Sequence, residues 1–342
     1  MKRLRVLALM HEHLVPPESI KGMSQEEINP FRMEYDVLQA LRRLGHEVIE
    51  LGVGDELLPI RKAIEEHEPH TCFNLLTHFF DVGAYHAHVV SYLELLRAPY
   101  TGCNPRGLIL AGDKGLSKKV LTYHRIRVPR FVVFKRGVAV KVRKGIRFPL
   151  FVKSVSEEAS TGISQASVVR DEEALKQRVE FVHTSIGTDA IAEEYIEGRE
   201  LNVAVLGNDR LSAFPPQELT FENLPEGSRP ILTSRIKWDL AYQKKVGVMA
   251  GPVRDLTDAQ RQGITRLGKR VFRALGLSGY ARMDLRLAED GTVFVIEANP
   301  NPDLCMNEDF AESAGQFGIP YDNLIQRIVN LGLAYTPAWK GR

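Results

Sequence analysis

Four residues in the last third of the chain have the types and spacing to do chemistry together: Arg282, Asp284, Glu297 and Asn299. They lie in GYARMDLRLAEDGTVFVIEANPNPDL, residues 279–304, which reads as two strands, 280–287 and 292–298. The strands are joined at Asp290-Gly291, a dipeptide favoured in two-residue hairpin turns. That register sets Asp284 opposite Glu297 and Arg282 opposite Asn299. The period of two puts Arg282, Asp284 and Arg286 on one face, with Met283, Leu285 and Leu287 on the other. Two carboxylates facing across a ladder repel by roughly 3 kcal/mol at ~5 Å and an effective dielectric of about 20, so a cation is expected between them. Asp, Glu and Asn oxygens suit a hard ion such as Mg²⁺, which one or two carboxylates plus substrate phosphates usually hold. Arg282 and Arg286 neutralising the pair on a solvated face is the competing reading.

The elements that must position these residues fall into two kinds. Over the first hundred residues strand and helix alternate: strands at 4–10, 47–51 and 71–75, and helices at 56–67 and 87–96. Another helix opens at Asn29-Pro30, read as an N-cap with proline at the first helical position, and runs to Leu44. Such alternation implies an open parallel α/β domain, with ligands at the carboxyl ends of its strands. From Asp113, which caps a helix to about His124, strands dominate: 130–134, 148–153, 165–169, 190–194 and 200–206. One helix lies at 172–182. This is α+β with antiparallel character. Residues 215–253 show no clear period and read as a long functional loop. Thr257 and Gln260 form a capping box for a helix to Leu275, and helices at 308–317 and 321–331 follow the hairpin.

At 342 residues the chain exceeds the size at which one core stops growing, so two or three domains are expected. Its 44% apolar and 26% charged content is that of an ordinary globular protein. A net charge of +2 makes no case for nucleic acid or an anionic membrane. No run approaches the ~20 apolar residues a membrane span needs. Cys72, Cys103 and Cys305 are far apart and odd in number, which points to a reducing, cytoplasmic setting. Neither a dinucleotide-binding glycine fingerprint nor a P-loop occurs. His11, His13, His78, His86 and His88 have no zinc-site spacing and are expected to be surface or supporting residues.

Two further segments can carry chemistry. FPLFVK, residues 148–153, leads into SVSEEASTGIS, whose tip Ser160, Thr161 and Gly162 offers N–H groups and hydroxyls to phosphate oxygens. Lys153 ends the strand as a point charge for phosphate. An ordinary polar hairpin with an exposed lysine fits the same letters. In IAEEYIEGRE, residues 191–200, groups leaving a strand can pair with an adenine edge, and a carboxylate can take two ribose hydroxyls. Plain solvated acids are the alternative.

The order of these pieces resembles a family. Asp113-Lys114, VPRF, FPLFVK, EEASTGIS, EEYIEGRE, ARMDLRL and VIEANPNP are similar to the motifs of ATP-grasp ligases, above all D-alanine–D-alanine ligases. The resemblance covers residues 100–303 strongly and the earlier part loosely, through FNLL and LRAPYTG. It implies a three-domain ATP-grasp fold: an N-terminal α/β domain (1–112), a central subdomain with the glycine loop (113–196) and a C-terminal subdomain (197–342) with a mobile loop at 215–253. It further implies ATP and Mg²⁺, two ions, with Mn²⁺ an alternative. Lys114 and Lys153 would bind phosphates beside Ser160 and Gly162. Glu193 would meet the adenine amino group, Glu194 and Ile196 would frame adenine through backbone groups, and Glu200 would hold the ribose. Lys237 would reach the γ-phosphate from the mobile loop. Asp284, Glu297 and Asn299 would be the metal ligands, and Arg282 would stabilise the tetrahedral intermediate.

Three positions depart from that family. Ala159 stands where a serine supports the substrate network, Trp238 where a tyrosine follows the loop lysine, and Asp303 where a glycine precedes the acceptor-binding serine. Glu308 and Asp309 lie beyond, and Glu12 and Glu34 are unsecured counterparts of the N-terminal glutamate that anchors the first D-alanine. Asp303 can be read as orienting an ammonium or as a structural cap. The reading is an ATP-dependent carboxylate–amine ligase working through an acyl phosphate on small-molecule carboxylate and amine substrates, with an acceptor other than simple D-alanine. Alternatives are a true D-alanine–D-alanine ligase, a bicarbonate-using carboxylase subunit and a non-catalytic ATP-binding regulatory protein. A homodimer is left open.

Overall fold

The structure, a computed structural model, describes residues 2–141 and 145–341. Its first layer is a parallel sheet in which β1 (Arg5–His11) lies between β2 (Glu47–Val53) and β3 (Thr71–Asn74). Val6, Leu7, Ala8, Leu9 and Met10 are all fully buried, as a continuous apolar run in a strand covered on both faces requires. The helix Arg32–Arg43 packs Val37, Leu38 and Leu41 against one side. Its entry differs from the sequence expectation. Ser24, not Asn29, caps the helical segment through a capping box with Glu27, and Asn29-Pro30 form a 3₁₀ turn that redirects it.

The second sheet is antiparallel, in the order β4 (Phe131–Phe134), β7 (Ala190–Glu194), β5 (Leu150–Ser154), β6 (Val168–Val169). β6 is shorter than expected, because residues 165–167 form a 3₁₀ turn with Ser164 and Ser167 bonded to each other's ends.

The third sheet runs β11 (Val248–Pro252), β10 (Gln217–Phe221), β8 (Arg199–Leu206), β12 (Tyr280–Leu287), β13 (Val293–Pro300), with β9 (Ser212–Ala213) on β8. Reading 215–253 as structureless is therefore corrected. β10 and β11 extend the sheet, and the helices Ser234–Trp238 and Leu240–Val246 are capped by Thr233 and Asp239. These short helices, of five and seven residues, bury only Ile236 and Val246, too few positions to show a period. A helix at Pro105–Gly112, capped by Asn104, also went unread.

The hairpin turn is corrected as well. Ala288 N–H donates to the Thr292 carbonyl, and Gly291, at φ 80°, closes a three-residue loop. That loop shifts the pairing by one residue, so Leu287 faces Val293. A bulge between Asp284 and Leu285 restores it by leaving Ile296 without a partner. Asp284 still faces Glu297 and Arg282 still faces Asn299.

Candidate active site

The second and third sheets meet over a cluster of opposite charges. Lys153, at the end of β5, points across to β13 and donates to Glu297 at 3.1 Å, with Glu193 of β7 3.5 Å away. Burial alone would lower the Lys153 ammonium, but the two carboxylates outweigh it and hold it above its ordinary value. Burial would raise Glu297, yet Lys153 and Lys114 hold it well below the usual carboxylate range. Lys114, the first residue of the helix Lys114–Tyr123, lies 3.9 Å from Glu297 and donates to the Glu157 carbonyl at 2.7 Å. The two lysines expected at phosphates thus converge on one expected metal ligand.

A second knot surrounds Asp284. Arg282 grips it with two bonds, 2.8 and 3.1 Å, and Asn299 donates to it at 2.8 Å. Another nitrogen of Arg282 lies 3.5 Å from Asp309. Burial would lower the Arg282 guanidinium, and the surrounding carboxylates push it up instead. Arg286 does not help neutralise the Asp284–Glu297 pair. It faces Glu200 across β12 and β8, donating at 2.7 Å, and also bonds the Gly198 and Pro230 carbonyls at 3.0 Å each.

Above these knots the glycine loop and the segment carrying Lys237 are tied together. Ser234 N–H donates to the Ile163 carbonyl at 2.9 Å, its hydroxyl donates to the Ser160 carbonyl, and Gln165 and Arg229 exchange two bonds near 3 Å. Ala159 and Ser160 have φ of 55° and 60°, and Gly162 one of 71°. A side chain on Gly162 would also strike Ile186 Cδ1 at 2.7 Å, so both backbone and space demand glycine there. Lys237 is half-buried, and its charge acts on Glu158, Glu308 and Asp309. Glu194, the last residue of β7, accepts from Arg147 N–H at 3.2 Å, and Ile196 lies in the connection from β7 to β8.

This architecture has known counterparts. The model of the family described as "D-ala D-ala ligase C-terminus" matches residues 113–330. The chain belongs to the D-alanine–D-alanine ligase family. An uncharacterized protein, y4sG, of Sinorhizobium fredii is 33% identical over 314 residues, covering 88% of this chain and 87% of that protein. The D-alanine–D-alanine ligase of Desulforudis audaxviator is 28% identical, covering 91% and 95%. Among solved structures, the D-alanine–D-alanine ligase of Bacillus anthracis complexed with ATP has a TM-score of 0.72 at 21% identity, covering 97% and 98%. The VanG D-Ala:D-Ser ligase of Enterococcus faecalis has 0.69 at 19% identity, covering 97% and 100%. The protein is thus an ATP-grasp enzyme of the carboxylate–amine ligase type. No helix of the described residues is long and apolar enough to cross a membrane.

Against the family pattern, the three divergent residues have specific places. Trp238 is 67% exposed and donates its indole N–H to the Ala159 carbonyl at 3.3 Å, so two of the three meet each other. Asp303 accepts the Cys305 N–H at 2.7 Å, the cap that its position allowed.

Two features escaped sequence reasoning. Lys118, one helical turn beyond Lys114, is 1% exposed and joins Glu193 (3.1 Å) to the Ile296 carbonyl (2.7 Å). The i, i+4 spacing of lysines after Asp113 was its only signal. His11, His78 and Asp81 bring one ligand atom each to within 4.8 Å of one another at the carboxyl end of β1. The His11 and His78 rings stack at 4.3 Å, and burial, then the charge of His11, pushes His78 down. Sixty-odd residues of separation hid that meeting.

Proposed function

We infer that the chain is an ATP-dependent carboxylate–amine ligase that joins its substrates through an acyl phosphate and whose acceptor is not simple D-alanine. Residues 1–112, 113–196 and 197–342 are read as its three domains. The reading is carried by one observation: lysines from the helix and the central sheet converge on Glu297, which faces the Asp284 held by Arg282. Lys114 and Lys153 would hold phosphates beside Ser160 and Gly162. Glu200 would take ribose hydroxyls once released by Arg286, and Glu193, now paired with Lys118 and Lys153, would take the adenine amino group. The backbone at Glu194 and Ile196 frames the base.

Asp284, Glu297 and the Asn299 amide oxygen form an all-oxygen donor set on facing strands, and their charges are already compensated by Arg282, Lys114 and Lys153. These residues fit Mg²⁺, which would supply charge neutralisation on the phosphates. The carboxylate substrate takes the γ-phosphoryl group of ATP, ADP leaves, and the amine attacks the acyl carbon while losing a proton. Arg282 stabilises the oxyanion, phosphate departs and an amide remains. Lys237 would follow the transferring phosphoryl group. Closure by the tie between the glycine loop and the Lys237 helix excludes water from a hydrolysable intermediate.

The acceptor reading is supported by Ala159 and Trp238, which offer no hydroxyl where D-alanine would be read, and by Asp303, which adds a carboxylate at the acceptor end. ADP and phosphate release across pairs of L- and D-amino acids, hydroxy acids and dipeptides tests it. Turnover is expected with some larger amine and little with D-alanine alone. Efficient D-alanyl-D-alanine formation overturns the acceptor reading, and no ADP release with any pair overturns the ligase reading.

A further inference from the structure

We propose that the amine acceptor carries a second cationic group, held among Glu34, Asp303 and Glu308, so that its class is a basic amino acid or an α,ω-diamine. This rests on the ligase reading above and names the substrate class for the same site.

The decisive residue comes from the N-terminal domain. Glu34, in the first turn of Arg32–Arg43, is 1% exposed, and its Oε1 has no hydrogen-bond partner. A backbone N–H reaches the carboxylate, but a buried carboxylate oxygen left without a donor is rare in folded proteins, because its desolvation goes uncompensated. The charge of Asp303 acts on it from the loop that follows β13. That loop is fastened to the same helix, since Met306 N–H donates to Asp36 at 3.0 Å. Glu308 sits at the N-cap of Asp309–Gln316 yet makes no cap bond, and it feels both Asp303 and Asp309.

Lys237 and Arg282 act on Glu308 only through space. Among the described residues, no ion pair within 4.0 Å joins Glu34, Asp303 or Glu308 to a cation. Arg282 is committed to Asp284 and Asp309, and Lys237 is the remaining nearby cation. Asp309, 3.5 Å from Arg282, fixes the cluster one side chain away from the reacting centre.

The spacing also selects the kind of cation. Among the described residues the only trio of His, Cys, Asp or Glu ligand atoms within 4.8 Å is His11, His78 and Asp81, so the oxygens of Glu34, Asp303 and Glu308 do not converge as a metal ion requires. Carboxylates that do not converge on one point suit an ammonium or guanidinium on a flexible stem. An acceptor that ends in a carboxylate would be repelled there, and one that ends in an ammonium would be held.

The test uses the full-length protein with ATP and Mg²⁺. ADP release is measured with each amino acid of the panel as carboxylate donor and three acceptor sets: L- and D-lysine, ornithine and putrescine; alanine, serine and leucine; aspartate and glutamate. Cationic acceptors should exceed neutral ones in kcat/KM by on the order of tenfold or more, and acidic ones should be poorest. Glu308→Gln and Glu34→Gln should each erase most of that preference by raising KM for the cationic set more than for the neutral set. Calorimetry with putrescine, in the presence of a non-hydrolysable ATP analogue and Mg²⁺, should give a heat that Glu308→Gln weakens. Glu308 is exposed, so this variant keeps the test usable should Glu34→Gln fail to fold. A neutral acceptor that beats every cationic one, or a preference untouched by Glu308→Gln, overturns the proposal while leaving the ligase reading intact. Absence of ADP release with every pair overturns the ligase reading, and the putrescine titration then decides the cation site alone: a heat that Glu308→Gln weakens supports it, and no heat overturns it.

Discussion

Lys118 Nζ lies 2.7 Å from the carbonyl oxygen of Ile296, the one residue of β13 that the bulge leaves unpaired. The bulge frees that carbonyl, and the lysine satisfies it while meeting Glu193 at 3.1 Å. The ammonium thus pins the helix Lys114–Tyr123 to both antiparallel sheets. Removing one member of a buried pair strands the other, at a cost of about 3 kcal/mol or more. Lys118→Met should therefore destabilise the protein by about that amount in denaturant unfolding. The Lys118→Met/Glu193→Gln double variant should recover part of the loss, since it removes the stranded charge. A Lys118→Met protein as stable as the parent would mean the pin carries no weight.

The same hairpin shows what the letters could and could not reveal. Alternation of Met283, Leu285 and Leu287 with Arg282, Asp284 and Arg286 specifies which face is buried, because a one-residue slip would expose the apolar set. The facing of Asp284 and Glu297 followed, although by two shifts that cancel: a three-residue turn and a bulge. Neither is written in local composition. Long-range pairings were invisible for the same reason. Lys118 meets Ile296 across 178 positions, and nothing in either segment announces the other. The helices within 215–253 were missed because short segments that bury one residue each have no period. Charged motifs at strand ends were legible because their chemistry needs particular residue types in a fixed order.

Glu297→Gln tests the metal and phosphate assignment. The carboxylate is bonded to Lys153 and neighbours Lys114, so the substitution removes one charge and leaves the side-chain volume unchanged. ADP release should fall by ~10²-fold or more, as loss of one preorganised electrostatic partner does. Calorimetric ATP binding should lose its dependence on Mg²⁺. Binding of ATP that responds neither to Mg²⁺ nor to the substitution would remove Glu297 from the metal site.

Closure should depend on the tie between Trp238 and Ala159. Trp238→Phe keeps the ring and deletes the donor of the 3.3 Å bond. Because the residue is largely exposed, global stability should change by about 1 kcal/mol or less. Limited proteolysis within residues 222–233 should nonetheless speed up, and an ATP analogue with Mg²⁺ should slow cleavage in the parent. Identical digestion of the parent with and without nucleotide would argue against a closing segment.

Burial, with Asp303 adding to it, pushes the Glu34 carboxyl up to about 7 against an ordinary 4.5. A raised acid holds its proton longer in the folded state, so its contribution is complete below about 4.5 and is lost as pH rises through 7. The loss amounts to about 3 kcal/mol from a shift of this size. Glu34→Gln, which stays neutral, should match the parent near pH 4.5 and exceed it in thermal stability at pH 8. The facing charge that adds to burial is Asp303. Equal pH profiles for parent and variant would place the Glu34 carboxyl in water.

Acceptor choice should shift when the divergent residues are returned to the family pattern. Ala159→Ser restores a hydroxyl in the glycine loop, and Trp238→Tyr restores one beside Lys237, in place of an indole that now holds the loop from outside. Each restored hydrogen bond to a bound substrate is worth about 1 kcal/mol, so the pair should raise D-alanine-dependent phosphate release on the order of tenfold. The gain should appear with D-alanine and not with L-alanine, since a positioned hydroxyl reads stereochemistry whereas general loosening of the loop would not. Asp303 should limit the effect, because its charge still opposes an acceptor carboxylate and its Oδ1 is fixed by Cys305 N–H. Adding Asp303→Gly should therefore raise D-alanine turnover further, at some cost to the order of the loop. If the parent already forms D-alanyl-D-alanine with a kcat/KM of about 10⁴ M⁻¹s⁻¹ or above, these residues do not govern the acceptor and the enzyme is an ordinary member of its family.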